Sequence, residues 1–361
     1  MERSQASDPH LRESLRDTDG TEILLRDATE ADRPRTRAIR WSAGWSEPPH
    51  QHRVWQEADE DLWVNHHYYR EFVAEVGGVV AARVGLEAFR PPFAEICDLA
   101  VRPEFRRRGL GRHLTQKCLE EAARRDFVAI FLQTELTNNA SHRLYQSLGF
   151  VPTAQGKMLR LVKFINYPLL ADFLNTYPLT SYQCTNTPSA SRTWRLSWNA
   201  YVTASHLHLT LEGGASQSDS EGVGPALTAF DWKEASTERH IVVEIESEER
   251  KDIEIGDYVE LKIRAKNHGT RKESGIFKML LPPDVRVSSP RANQNRVFEW
   301  SLEPGENLTQ EVEIQMEPSF DSSPLWFLNY GSLPVCMETY WEGHRALLST
   351  NLAMAIPPPR E

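Results

Sequence analysis

The sequence predicts an α/β (α+β) domain over residues 20–165, a mixed and mainly antiparallel sheet flanked by helices, followed by an all-β sandwich over 193–357. Three observations carry this. Strand-like runs open the first region and then alternate with helical ones. Helical periodicity all but stops after Thr193. From there short strand-like runs recur between turn signals such as Asn267-His268-Gly269 and Pro304-Gly305.

In chain order, residues 1–19 are polar with mixed charges and no apolar stretch, and read as a disordered start rather than a signal peptide. EILLRDAT (22–29) reads as a strand, and the segment after it as a helix whose start is limited by Pro34. REFVAEV, VVAARVGLEAF and FAEICDLAV read as consecutive antiparallel strands, the first two joined by a Gly77-Gly78 hairpin. A helix follows from Leu110 to Arg125, with Leu110, Leu114, Cys118 and Ala122 on one face. VAIFLQTEL is a strand, ASHRLYQSLGF a helix ending at Gly149, and KMLRLVKFI a strand. Residues 166–192, which include the Ser/Thr-rich TNTPSASR, read as a linker, and the Gly/Ser-rich stretch near 213–225 as a flexible loop within the sandwich.

Composition bounds the function. A formal net charge of -10 argues against non-specific binding of nucleic acid, and no apolar run reaches the length of a membrane span. Cys97, Cys118, Cys184 and Cys336 form no CxxC pair, which argues against a zinc ribbon or disulfide scaffold and fits a reducing cytoplasm. The pairs His50/His52, His66/His67 and His206/His208 have no third ligand at regular spacing and read as surface histidines, so no metal is expected.

In this acidic chain, Arg106, Arg107 and Arg108 run straight into Gly109-Leu110-Gly111 at the start of a helix. A helix N-terminus presents unpaired N–H groups and partial positive charge, and glycine lets the backbone close on a phosphate. The loop is neither a Walker loop nor a dinucleotide fingerprint, since Gly-Lys-Ser/Thr and a third glycine are both missing.

The pattern Arg-x-x-Gly-x-Gly, preceded by CDLAV and Arg102-Pro103, resembles the acyl-CoA-binding motif of the GNAT family of N-acetyltransferases. NNASHRLYQSLGF, about thirty residues on, resembles that family's next motif, and the likeness spans roughly residues 20–165. It implies that the strand carrying Leu99, Ala100 and Val101 splays from its neighbour and pairs its backbone with the pantetheine arm of acetyl-CoA. The pyrophosphate would sit on backbone N–H groups from Arg107 through Arg112. Tyr145 matches the family tyrosine that protonates the departing CoA sulfur; the alternative is a tyrosine packed in the core with its hydroxyl at the surface. Asn138 matches the Asn that bonds the pantetheine arm, and could also cap the following helix, with Asn139 as the register alternative.

Two acids are candidates for the base. Glu95 stands where histone-type members carry one, and alternates with Cys97 and Leu99 on one strand face. Gln133 takes the position used by relatives that acetylate protein N-termini and cannot accept a proton, while Glu135, two residues on, could substitute. Trp41, Trp45, Trp55 and Trp63, with Glu47, Glu57, Asp59, Glu60 and Asp61 among them, could line a cleft for a cationic amine or simply pack a helical cover.

Residues 240–318 resemble prokaryotic immunoglobulin-like repeats, through a strand pair around Asn-x-Gly, a Leu-Pro, and a Trp before Pro-Gly-Glu. Such sandwiches bind, space or dimerise. The expectation is therefore an N-acetyltransferase that moves acetyl from acetyl-CoA to a primary amine of a small molecule or protein, by direct attack in a ternary complex. Its sandwich would hold a protein partner or a second copy of the chain. The alternative is a non-catalytic acyl-CoA-binding module acting through the sandwich.

Overall fold

The computed structural model describes residues 12–16, 20–42, 68–90, 93–155, 158–187, 193–213, 225–247, 253–254, 256–281, 285–288, 296–316 and 332–353. The N-terminal region contains β1 (Arg12–Arg16), β2 (Glu22–Asp27), α1 (Arg33–Ser42), β3 (Tyr68–Val76), β4 (Val79–Arg90) and β5 (Phe93–Val101). Then come α2 (Leu110–Arg124), β6 (Ala129–Glu135), α3 (Asn139–Ser147), β7 (Val151–Gln155) and β8 (Met158–Phe164). Its strands form one sheet in the order β1-β2-β3-β4-β5-β6-β8-β7, in which only the β5–β6 pairing is parallel.

Each face of this sheet is covered by different material. On one face, Leu110, Leu114, Cys118 and Ala122 of α2 are all buried against Phe72, Val84, Leu86, Ile96 and Leu132, so the four-residue stripe read from the sequence is the packing surface. On the other, Ile39 of α1 packs on Val73, Val80 and Ala100. Gly77 and Gly78 both have positive φ and make the β3–β4 turn.

Two stretches differ from the sequence reading. Residues 12–16, expected to be disordered, form an edge strand paired antiparallel with β2. The expected linker 166–192 instead contains α4 (Pro168–Thr176) and β9 (Thr180–Thr187). Pro168 sits in the first turn of α4, and Leu169, Leu170 and Phe173 are its buried face. β9 is polar because it is an edge strand, and its composition therefore resembles a linker.

The second region adds β10 (Thr193–Ala200), β11 (His206–Gly213), β12 (Pro225–Glu234), β13 (Arg239–Ser247), β14 (Tyr258–Asn267) and β15 (Glu273–Leu280). It ends with β16 (Val285–Val287), β17 (Val297–Leu302), β18 (Asn307–Met316), β19 (Ser332–Trp341) and β20 (His344–Ala353). These form two antiparallel sheets, β16-β18-β14-β13-β12-β11-β10-β9 and β17-β15-β19-β20, which share a core that includes Phe230, Trp232, Phe277, Trp300, Met337 and Trp341. The loop expected near 213–225 lies largely outside the described residues.

One apolar cluster is continuous across both regions, running from Phe93, Phe131 and Val162 through Tyr167, Phe173 and Trp198 to Trp232. Tyr182 Oη donates to the carbonyl of Pro152 (2.9 Å) and Cys184 Sγ to that of Thr153 (3.2 Å), tying β9 to β7. Among the described residues, no helix is long and apolar enough to cross a membrane.

Candidate functional site

The site begins where β5 leaves β6. The two strands pair at Phe93/Ala129, Ala94/Ile130 and Glu95/Phe131, and the register ends there. Beyond Glu95 the strands diverge, leaving a gap between Ile96–Val101 on one side and Leu132–Glu135 on the other. A β-bulge lies within this stretch. Arg83 and Gly85 of β4 stand opposite Ala100 and Cys97, so three steps on β5 match two on β4, and Asp98 has φ 56°. The Asp98 carboxylate lies 3.5 Å from the guanidinium of the buried Arg83, whose Nε is 3.1 Å from Glu71. Asp is among the few residues that tolerate such a φ, and the ion pair holds it there.

The bulge corrects one expectation. Glu95 and Cys97 share a face, but Leu99 is turned to the α2 side, where it joins the cluster of Ala94 and Ile96. Its Cδ2 would be 3.8 Å from a Cβ placed on Gly111, and Leu144 Cδ2 3.5 Å. Ala100 points the other way, towards α1.

The loop from Arg102 delivers the helix N-terminus to the mouth of this gap. Gly109 is the N-cap of α2, in the left-handed region at φ 78°, and no side chain caps the helix. The first amides of α2 therefore lack the usual side-chain acceptor. Arg107 also has positive φ (68°), so the backbone folds tightly ahead of the helix. Arg106 and Arg107 are exposed, and Arg106 Nε donates to the carbonyl of Val101 (3.3 Å). Arg108 lies over the Phe105 ring, and Leu110 is buried beneath the turn. Arg112 donates to Ser147 Oγ (2.6 Å), linking α2 to α3. Three arginines, two glycines and an uncapped helix start thus follow one another in a single turn, an arrangement of free N–H groups and positive charge that can hold an anion.

Tyr145 of α3 is 5% exposed and meets Phe150 edge-on, with ring centroids 5.5 Å apart. Burial, with the nearby Cys118 and Cys97 groups adding to it, holds its hydroxyl far above the ordinary phenol range, so it remains a proton donor. Asn138 is the N-cap of α3, its side chain accepting from Ser141 N (3.1 Å), and Asn139 is the first helical residue. Glu95 is half-buried and stands opposite Glu87 on β4. Gln133 and Glu135 alternate with Phe131 and so share the face of Glu95, with Glu135 exposed at the strand end. Tyr145 packs on the opposite, α2 face.

Residues 34–150 match the acetyltransferase (GNAT) family profile. The N-terminal region carries a GNAT acetyltransferase domain. Its curated relatives include the [ribosomal protein bS18]-alanine N-acetyltransferase of Salmonella typhimurium, 40% identical over 72 residues, covering 18% of this chain and 49% of that one. The N-alpha-acetyltransferase 30 of Xenopus laevis is 35% identical over 86 residues, 22% of this chain and 31% of that one. This chain thus spans half or less of the length of these relatives. Among solved structures, the GNAT domain of S. lividans PAT aligns over 42% of this chain and 96% of its own, at 16% identity and a TM-score of 0.35.

For the GNAT domain, sequence reasoning found the loop and both helices but missed the Asp98 bulge and the Arg83–Glu71 pair that backs it. Nothing local in ICDLAV marks a reversal of face. Trp41 lies in the last turn of α1, whereas Trp45, Trp55, Trp63 and the acids Glu47, Glu57, Asp59, Glu60 and Asp61 lie outside the described residues, as do His50, His52, His66 and His67.

Proposed function

We propose that the protein is an acetyl-CoA-dependent N-acetyltransferase acting on a primary amine. One observation carries the reading: the gap beyond Glu95/Phe131 opens beside the uncapped, glycine- and arginine-lined start of α2. In this reading the pantetheine arm runs along the backbone of Leu99, Ala100 and Val101, as an added strand would. The pyrophosphate rests on the amides of Arg107 through Arg112, and Asn138 adds a contact to the arm beside its capping role.

The acceptor amine attacks the thioester carbonyl carbon, forming a C–N bond. The resulting tetrahedral centre collapses with cleavage of the C–S bond. Glu95, or Glu135 in its place, takes the proton that the amine loses, directly or through water. Tyr145 gives its proton to the departing sulfur, so the products are the N-acetylated amine and CoA. Because Glu95 and Tyr145 lie on opposite faces, the acetyl group is reached through the gap from both sides. Relatives named for acetylating alanine of a ribosomal protein and N-alpha groups make a protein α-amine one acceptor class to test, alongside small amines. The sandwich over 193–357, which we read as immunoglobulin-like, would seat a protein acceptor or a second copy.

The test is calorimetric titration of the full chain with acetyl-CoA, followed by CoA-release assays over α-amine peptides, lysine peptides and small amines, using Tyr145→Phe beside the parent. The reading expects retained binding and a turnover loss of about a hundredfold or more in the variant. Binding with no turnover on any acceptor would favour the non-catalytic module. Absence of acetyl-CoA binding would end both.

A further inference from the structure

Far from the acetyl-CoA site, three imidazoles and a carboxylate converge on the outer face of the larger sheet of the second region. Alternation fixes the face: Leu207, Leu209, Phe230, Trp232, Ile241 and Val243 point into the core, so His206, His208, Asp231 and His240 point out. The ladder then brings them together. His208 is directly opposite Asp231, and Lys233 stands between His206 and His240 across three adjacent strands.

His206 Nε2 and His240 Nε2 both lie 3.0 Å from the same carboxylate oxygen, Asp231 Oδ1. The three donor atoms all fall within 4.8 Å of one another. The other oxygen, Oδ2, is already engaged, by Arg195 at 2.9 Å and by His208 Nδ1 at 3.2 Å. Arg195 also contacts His208 Nδ1, and the His206 and His208 rings stack in parallel with centroids 4.0 Å apart. A single carboxylate thus faces three imidazoles and a guanidinium, two contacts to each oxygen. The two imidazole nitrogens and the carboxylate oxygen lie close enough together for one cation to bridge them.

We infer that His206 Nε2, His240 Nε2 and Asp231 Oδ1 form a three-ligand site for a divalent transition-metal ion of the zinc class. Two imidazoles and a carboxylate are a donor set that suits Zn²⁺. Tetrahedral bonds of about 2.0–2.1 Å place donor atoms roughly 3.3 Å apart, so each nitrogen–oxygen separation of 3.0 Å needs to open by only a few tenths of an ångström, while the two nitrogens, within 4.8 Å of each other, settle to the same spacing. Arg195 and His208 supply the hydrogen bonds to the free carboxylate oxygen that commonly orient a ligating carboxylate. His206, Asp231 and His240 are 19%, 22% and 26% exposed, so the ion is reachable and its fourth position opens to solvent. His206, read from the sequence as a surface histidine beside His208, becomes a ligand in this proposal. The missing partners were on β12, a strand the sequence reading had not recognised, and at the start of β13.

The experiment uses the full-length chain stripped with EDTA. ZnCl₂ is titrated calorimetrically, and CoCl₂ is followed by visible absorption. The expected result is one tight equivalent of Zn²⁺ and the intense visible bands of four-coordinate Co²⁺, lost on adding equimolar Zn²⁺. His206→Ala and His240→Ala should each weaken Zn²⁺ at least tenfold, with acetyl-CoA binding unchanged. A chain with His50, His52, His66 and His67 all replaced by Ala should keep the full signal. The Co²⁺ spectrum of the parent chain needs no variant to fold. Only the weak spectrum of hydrated Co²⁺, or a signal that vanishes when His50, His52, His66 and His67 are replaced and survives His206→Ala/His240→Ala, overturns the site.

Discussion

Glu95 and Phe131 form the last pair that joins β5 to β6; beyond them the two strands part. The pair is therefore the hinge of the proposed cofactor cleft, and the residues just past it decide what fits.

Gly111 lines that cleft from α2. A Cβ there would meet Leu144 and Leu99 at ordinary contact distances, 3.5 and 3.8 Å, whereas a larger side chain has to push one of them into the gap. Gly111→Ala is expected to bind acetyl-CoA within about twofold of the parent. Gly111→Leu should bind at least tenfold more weakly, roughly 1.4 kcal/mol. Calorimetry on both variants checks the placement, and equal affinities would remove the cofactor from this turn.

The two candidate bases separate by rate. Glu95 is half-buried beside the last β5–β6 pair, and Glu135 is exposed at the end of its strand. Glu95→Gln is expected to lower turnover by about a hundredfold, while Glu135→Gln changes turnover little. The reverse ranking would move the base to β6.

A buried ion network fastens α2 to the sheet. Arg70 is 4% exposed and pairs with Asp27 (2.7 Å) and with Glu121 of α2 (2.8 Å), which also holds Arg124 and Arg125. Removing Glu121 leaves Arg70 with one carboxylate fewer in a dry site. Glu121→Ala should cost about 3 kcal/mol in denaturant unfolding, the low end for a broken buried pair because Asp27 remains. A loss below about 1 kcal/mol would show the network to be well solvated.

Asp32 gives a pH signature. Its carboxylate accepts from Arg26 (2.6 and 2.9 Å) and from the backbone and hydroxyl of Thr29 (2.9 and 2.8 Å). The Arg26 hydrogen bonds, against the opposing effect of burial, hold it far below the usual carboxylate range. A depressed folded-state value means that the contribution is fully present above the unfolded value, near 3.8, and is lost as pH falls towards the folded one. Asp32→Asn should therefore be destabilised by about 2 kcal/mol at pH 7, with the gap to the parent narrowing only below about pH 4. Urea melts at pH 7, 4 and 3 read this directly, and a gap constant across them would refute it.

Legibility followed locality. The stripe Leu110, Leu114, Cys118, Ala122 and the Arg-Gly loop were readable because helix period and glycine chemistry act within a few residues. The reversal at Asp98 was not, since it is imposed by register against β4 and by Arg83 from the neighbouring strand. β9 was read as linker because an edge strand needs few apolar residues. The His206–Asp231–His240 cluster was invisible for a related reason: its members are far apart in sequence and meet only through the pairing of β11, β12 and β13.

The apolar cluster that passes from Phe131 and Val162 through Phe173 to Trp232 has a practical corollary. The GNAT domain and the strand-rich region are welded rather than strung together. A cut after residue 165 would strip the covering from Phe93, Phe131 and Val162 and leave a sticky floor under the first sheet. The second region is therefore as much a part of the first domain's foundation as α2 is, and neither half can be traded as a separate cassette.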